Sequence, residues 1–254
     1  MLTSHKSKSL LIFALVTLGL CIAPNQAKAV TLTPLTSQDA IPGFDDVDFR
    51  TLINTGQFTE LFVAEGRVGN NSSNTGEREL GINTANGTPV GASNFAWGNG
   101  KVWDFRLEYT GSAVNYQVFD ANQTISLFSQ AFSGPVNQIY LRTFANRGSG
   151  NNLQNTVSLT DLVFNGTSIG SLSSSGSANS DVDYLGLSNF SAPFTLTGKT
   201  ALSWVGSAPS RSNLAFQIKV GNSPQSVPEP GILGGICLAA AMGATVSKRK
   251  KVAA

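Results

Sequence analysis

Three groups of side chains in this chain have the types and spacing to do chemistry. Asp45-Asp46-Val47-Asp48, with Asp39 nearby, and Asp181-Val182-Asp183 are short acidic clusters. Carboxylates on loops, joined by backbone carbonyls, are what a hard cation such as Ca²⁺ takes. Neither cluster has the Asp-x-Asp-x-Asp-Gly spacing of a dedicated calcium loop, and Asp is also a common turn former. Calcium ligands and solvated turn acids therefore both stand as readings of Asp45, Asp46, Asp48, Asp181 and Asp183. The second group is Glu60, Glu65, Glu77 and Glu79, close in sequence to aromatic residues. Two carboxyls separated by about 5 or 9 Å can hydrolyse a glycosidic bond. Arg67 and Arg78 lie among these acids, however, and acids alternating with arginines are usually ion pairs. The third group is aromatic: Trp97, Trp103 and Trp204 with Tyr109, Tyr116, Tyr140 and Tyr184 could form a platform for a sugar ring. Trp103 and Trp204 sit in alternating or apolar runs, where a large side chain fills a core. Trp97 sits in the Gly- and Asn-rich stretch from Asn94 to Gly100 and is the candidate for an exposed ligand contact.

The residues missing from the middle of the chain narrow the choice further. His5, Cys21 and Cys237 are the only histidine and cysteines, and all three lie close to the ends. The stretch between has no side chain for a Ser-His-Asp or Cys-His nucleophile, a thiolate or imidazole zinc site, or a histidine base. Carboxylate chemistry and oxygen-ligand metals remain, and a fold without a disulfide must be held by its core. No catalytic residue and no firm cofactor is assigned, with Ca²⁺ the one candidate ion.

The two ends carry the most specific patterns. Lys6 and Lys8 form a positive leader start, Leu10 to Ala23 an apolar stretch, and Ala27-Lys28-Ala29 an A-x-A site that predicts cleavage before Val30. Leu20 before Cys21 departs from the small residue a lipoprotein leader needs. At the other end come Val227-Pro228-Glu229-Pro230, an uncharged run from Gly231 to Val246, and the basic tail Lys248-Arg249-Lys250-Lys251. Pro228 and Pro230 lack N–H groups and fix φ, which keeps this stretch extended and open to a processing enzyme. The apolar run would span about 24 Å as a helix, a little less than the hydrocarbon core, and the basic tail would stay cytoplasmic. Seven of the 17 basic residues fall in these end segments, against one of the 15 acids, Glu229. The body between them is therefore acidic although the whole chain is +2, which argues against a nucleic-acid partner.

The order of Pro-Glu-Pro, apolar run and basic stop resembles the PEP-CTERM sorting signal of Gram-negative bacteria. That resemblance implies an inner-membrane-tethered precursor, recognition and cleavage by an exosortase after passage through the secretion machinery, and association with extracellular polysaccharide at the cell surface or beyond it.

The elements that must position the chemistry-bearing side chains read as strands. Lys101 to Tyr109 alternates strictly, with Trp103, Phe105, Leu107 and Tyr109 on one face and Asp104, Arg106 and Glu108 on the other. Similar runs occur at Glu60 to Ala64, Val114 to Phe119, Thr124 to Phe132, Gln138 to Phe144, Thr156 to Phe164, Phe194 to Val205 and Asn213 to Val220. Asn165-Gly166 between two such runs predicts a two-residue type I′ hairpin, because both central residues need positive φ. Gly170 to Ser180 is almost wholly small and polar and reads as a loop tip, and no stretch of the body shows a helical period. The expected fold is all-β, an antiparallel sandwich or jelly roll over residues 30–223. It is preceded by a signal peptide (1–29) and followed by a Pro-rich tether (224–230) and a transmembrane sorting helix with its basic tail (231–254). Glu60-Leu61-Phe62-Val63-Ala64-Glu65-Gly66-Arg67, Gly76-Glu77-Arg78-Glu79-Leu80-Gly81 and Phe95-Ala96-Trp97-Gly98-Asn99-Gly100, with the Trp103 strand and the Asn165-Gly166 hairpin, resemble the choice-of-anchor class of secreted bacterial domains. That resemblance implies a surface β domain and no particular activity. A structural or adhesive domain is the expected role, with a calcium-assisted carbohydrate-binding module as the alternative and a carboxylate glycosidase third.

Overall fold

The computed structural model describes residues 30–35, 43–69, 79–148 and 150–224. The expected leader before Val30, including Ala27 and Ala29, lies outside these residues. So do the sorting signal from Val227 through the basic tail, Asp39, Glu77 and Arg78. Among the described residues, no helix is long and apolar enough to cross a membrane.

Among the described residues, thirteen strands and one helix follow in chain order. They are β1 (Thr31–Leu35), α1 (Asp46–Asn54), β2 (Thr59–Val68), β3 (Leu80–Thr84), β4 (Pro89–Ser93), β5 (Val102–Tyr109), β6 (Val114–Phe119), β7 (Thr124–Ser129), β8 (Gln138–Ala145), β9 (Asn152–Phe164), β10 (Thr167–Gly176), β11 (Asp181–Ser188), β12 (Phe194–Gly206) and β13 (Leu214–Asn222). The strands form two antiparallel sheets. One has seven strands in the order β1-β11-β8-β13-β2-β3-β4, and the other six in the order β10-β9-β12-β5-β6-β7. The compact unit that contains both sheets ends at Ser223.

Period-two patterning explains why the sheets face each other. On β5, Trp103, Phe105, Leu107 and Tyr109 are all buried, and on β12 Phe194, Leu196 and Leu202 are buried on the same side. Phe62, Ala64, Ile218, Val220, Ile139 and Leu141 from the seven-stranded sheet join them in one apolar core. Removing a side chain of this size from water contributes about 1.5–3 kcal/mol each, so this inner layer is the main source of cohesion. The two sheets thus make a β-sandwich-like body, in agreement with the alternation read from the sequence. The Asn165-Gly166 hairpin is also as expected: φ is 48° at Asn165 and 82° at Gly166, and Thr167 pairs with Phe164.

Three segments differ from the sequence reading. Asp45 to Asp48 is the start of a helix rather than an acidic loop, because Asp45 is its N-cap and accepts from the Val47 and Asp48 amides at 2.6 and 3.1 Å. Asp48 returns the bond by accepting from the Asp45 amide at 3.0 Å, closing a reciprocal capping box. Gly170 to Gly176, read as part of a loop tip, belongs to β10, where Ser173 to Gly176 pair with Asn155 to Ser158. Small polar residues suit this place: the Ser174 hydroxyl lies 2.8 Å from that of Thr143, and a Cβ on Gly176 would collide with the Ala145 carbonyl. Asp181 and Asp183 lie in a fully paired strand, β11, and not in a loop.

Candidate functional site

The outer face of the seven-stranded sheet carries a transverse row fixed by register. Tyr184 on β11 pairs with Arg142 on β8, Arg142 with Gln217 on β13, and Gln217 with Glu65 on β2. Side chains at directly opposed positions project from the same face, so four polar groups from four strands stand side by side. Lys219 lies two residues along β13 on the same face. Glu60 reaches this face because a register shift sets Val220 opposite Phe62 but Gly221 opposite Glu60. Without that extra residue in β2, Glu60 would point into the core.

Helix α1 lies over part of this face. Phe49 packs against Phe58, Tyr140 and Tyr184 at ring-centroid distances of 5.6, 5.3 and 5.5 Å, forming a second, smaller apolar cluster with Val182. Asp46, in the first turn, accepts from Arg142 Nε at 2.7 Å and Nη2 at 2.5 Å, and from the Tyr184 hydroxyl at 2.6 Å. Between the helix and the β3–β4 turn the sheet is left uncovered, and a cavity of about 330 Å³ opens there, lined by Phe49, Arg50, Ile53, Glu60, Arg142, Gln217 and Lys219 among others. A second cavity of about 260 Å³ continues from it past Glu60, Ala85, Gln217 and Lys219 to Glu65, Arg67 and Asn83. The result is a charged groove floored by β2 and β13.

Each acid in the groove has a partner. Glu60 lies 3.4 Å from Lys219 Nζ, while Glu65 accepts from Gln217 Nε2 at 3.0 Å and faces Arg67 at 3.8 Å. Lys219 Nζ also sits 4.8 Å from the centre of the Phe49 ring. Burial raises the Glu60 pKa above the usual glutamate value, and the Glu65 charge adds to this, more than Lys219 offsets. Burial alone would raise Asp46 as well, but the hydrogen bonds and charge of Arg142, with the Tyr184 hydroxyl, hold it below its ordinary value. Burial pushes the Tyr184 hydroxyl well above its usual range, so it stays a donor. The groove therefore offers paired charges and amide groups to a polar ligand, with one carboxyl that takes up a proton more readily than usual.

The expected glutamate pairing with arginine is present for Glu65 and Arg67. Glu60 and Glu65 share the groove but lie four ladder positions apart, opposite Gly221 and Gln217. That is about 13 Å between their backbone positions along a strand, and each carboxylate has its own partner, Lys219 for Glu60 and Gln217 for Glu65. Glu79 is buried and accepts from the Gly69 amide at 3.1 Å.

Compared with models of known protein families, the chain matches none, and no curated protein is found similar to it. The residues themselves must carry the functional reading.

Trp97 is not exposed, contrary to the expectation from its loop setting: it is 2 % accessible. Its indole N–H donates to the Arg67 carbonyl at 3.0 Å, and its ring stands edge-on to Phe95 and Phe216 at 4.7 and 5.7 Å. Gly66 makes room, since a Cβ there would lie 2.5 Å from the Trp97 ring. A glycine at an inward position of the strand, in register with Phe62, Ala64 and Val68, was the available sequence signal for this close approach.

The two acidic clusters lie on opposite faces of the seven-stranded sheet. Asp46 meets Tyr184 on the outer face, whereas Asp183, one residue earlier in β11, points inward and accepts from the Ser174 hydroxyl at 2.9 Å. Asp181 accepts from the Ser175 amide at 2.6 Å. Asp45 and Asp48 are spent on the helix cap. Among the described residues, no three His, Cys, Asp or Glu side chains converge as a metal site. Sequence reasoning missed Arg142, Gln217 and Lys219. Their signal was a long polar side chain at alternate outward positions of strands whose inward positions are apolar.

Proposed function

We propose that the chain is an exported bacterial surface or extracellular-matrix protein whose β-sandwich body serves a structural or adhesive role. In this reading the leader is removed before Val30, the Val227-Pro228-Glu229-Pro230 motif and apolar run hold the precursor in the inner membrane, and an exosortase cuts there. The observation that carries the reading is the placement of the β-rich body. Its strands run from Thr31 to Asn222, filling the stretch between the expected cleavage site and the Pro-Glu-Pro motif. Intact-mass analysis of the natively processed protein tests it: a product beginning at Val30 and lacking Gly231 to Ala254 supports the reading, and a product retaining Cys237 overturns the sorting step.

The groove favours a second reading, a carbohydrate-binding module. Glu60, Lys219, Gln217, Asn83 and Glu65 line one polar cavity whose hydrogen-bonding groups suit a hydroxyl-rich ligand. Trp97, being buried, no longer contributes to that reading. A glycan screen in which binding is lost in Gln217→Ala but kept in Ser173→Ala would move the protein into this class.

A further inference from the structure

Among the described residues, the four strands at the sheet edges are not equally protected. An edge strand exposes unpaired backbone groups and invites another chain unless it is short, bulged, charged or interrupted by proline. β1 has five residues and contains Pro34, and β4 has five and begins with Pro89. β10 is broken by register shifts on both sides of Gly170, whose φ is 93°. β7 has none of these devices. Its six residues, Thr-Ile-Ser-Leu-Phe-Ser, hold unbroken register with β6 from Thr124 opposite Phe119 to Ser129 opposite Val114. β3 and β4 of the other sheet lie close to β7 on its inner side, but among the described residues no ladder joins either of them to it.

Phe128 on this strand is 62 % accessible, the most exposed large apolar side chain among the described residues. The chain is also uncharged from Ala121 to Leu141. We propose that β7 is the edge by which two copies of this chain join, strand against strand and antiparallel about a two-fold axis, so that the six-stranded sheet continues into its copy. The second copy is the occupant because the body carries a net negative charge and the uncharged β7 edge is a place where two copies approach with little like-charge repulsion. Along β7 they meet without like charges, and an antiparallel strand always matches its own length and alternation. The inference is independent of the sorting reading and holds whether or not the C-terminal segment is cut.

The test uses the full chain in mild detergent, with Cys21→Ser and Cys237→Ser as background. Single cysteines are placed by Thr124→Cys, Ser126→Cys and Phe128→Cys, with Ser173→Cys on β10 as control. Facing positions on an antiparallel pair lie within disulfide reach. Mild oxidation is expected to give a covalent dimer from at least one β7 position and none from the control. In sedimentation velocity, Ser126→Lys is expected to weaken the dimer at least tenfold while its unfolding midpoint stays at that of the background chain. A monomer at all concentrations, a dimer unmoved by Ser126→Lys, equal cross-linking through β10, or open-ended aggregation in place of a dimer would each overturn the proposal.

Discussion

The two sheets are alike inside and different outside. Among the described residues the outer face of the six-stranded sheet is bare: Asp104, Arg106 and Glu108 on β5 stand beside Lys199, Thr197 and Thr195 on β12. Its ion pairs are wet, the Lys199 and Asp161 side chains being 44 % and 68 % accessible. The outer face of the seven-stranded sheet is half covered by α1 and its aromatic cluster, and its pairs are partly dried, with Lys219 and Glu60 at 13 % and 6 %. Similar residue types thus sit in two dielectric settings. On the covered face, burial and a nearby cation tip the balance in opposite directions, up for Glu60 and down for Asp46.

The shared inner layer sets the scale for breaking this contrast. Trp97→Ala removes a buried indole and should lower unfolding free energy by about 3–5 kcal/mol, read from urea unfolding. An unchanged midpoint would return Trp97 to the surface. On the covered face, Phe49→Ala should cost about 3 kcal/mol, with amide protection in α1 lost before protection in β5 and β12. Simultaneous loss would mean that the helix and both sheets unfold as one unit.

Asp46 and Glu60 should give stability profiles of opposite sign. Asp46 is held below its ordinary value, so its contribution is present above the unfolded-chain value near 3.8 and is lost as pH falls through the folded value. Glu60 is raised, so its favourable contribution is complete below the ordinary value of 4.5 and is lost as pH rises through the folded value. Asp46→Asn should therefore remove about 1 kcal/mol near neutrality, a modest figure because the carboxyl is 41 % accessible, and should flatten the acid limb. Glu60→Gln should flatten the limb that declines toward neutrality. Profiles identical to the parent would show that the covered face is as wet as the other. Smallest of all, Lys199→Ala on the bare face should leave the urea midpoint where it is; a measurable shift would erase the difference between the two faces.

The bare sheet was the legible one. With solvent on one side, β5 and β12 keep the alternation that Trp103 to Tyr109 displays in the sequence. Where the helix covers the second side the alternation blurs: β11 is buried from Asp181 to Leu187, so its strand character was hidden and its acids read as a loop. The helix escaped notice for a local reason. Its nine residues bury only Phe49, too few for a period to show, and its Asp45-x-x-Asp48 capping box has the same composition as an acidic turn. The groove was illegible because it depends on register across β11, β8, β13 and β2 and on one bulge at Glu60, neither of which any single strand encodes.

The partners of three strands bear on how this body comes to be assembled. β1 pairs with β11, β2 with β13 and β5 with β12, so strands made early are joined by strands made late. Closing such long loops must precede the contacts that reward it, which makes folding slow. A chain threaded N-terminus first across a membrane would reach the far side with β1, β2 and β5 waiting for their mates. On the proposed export route, such a delay would keep the chain unfolded until its last strand had crossed.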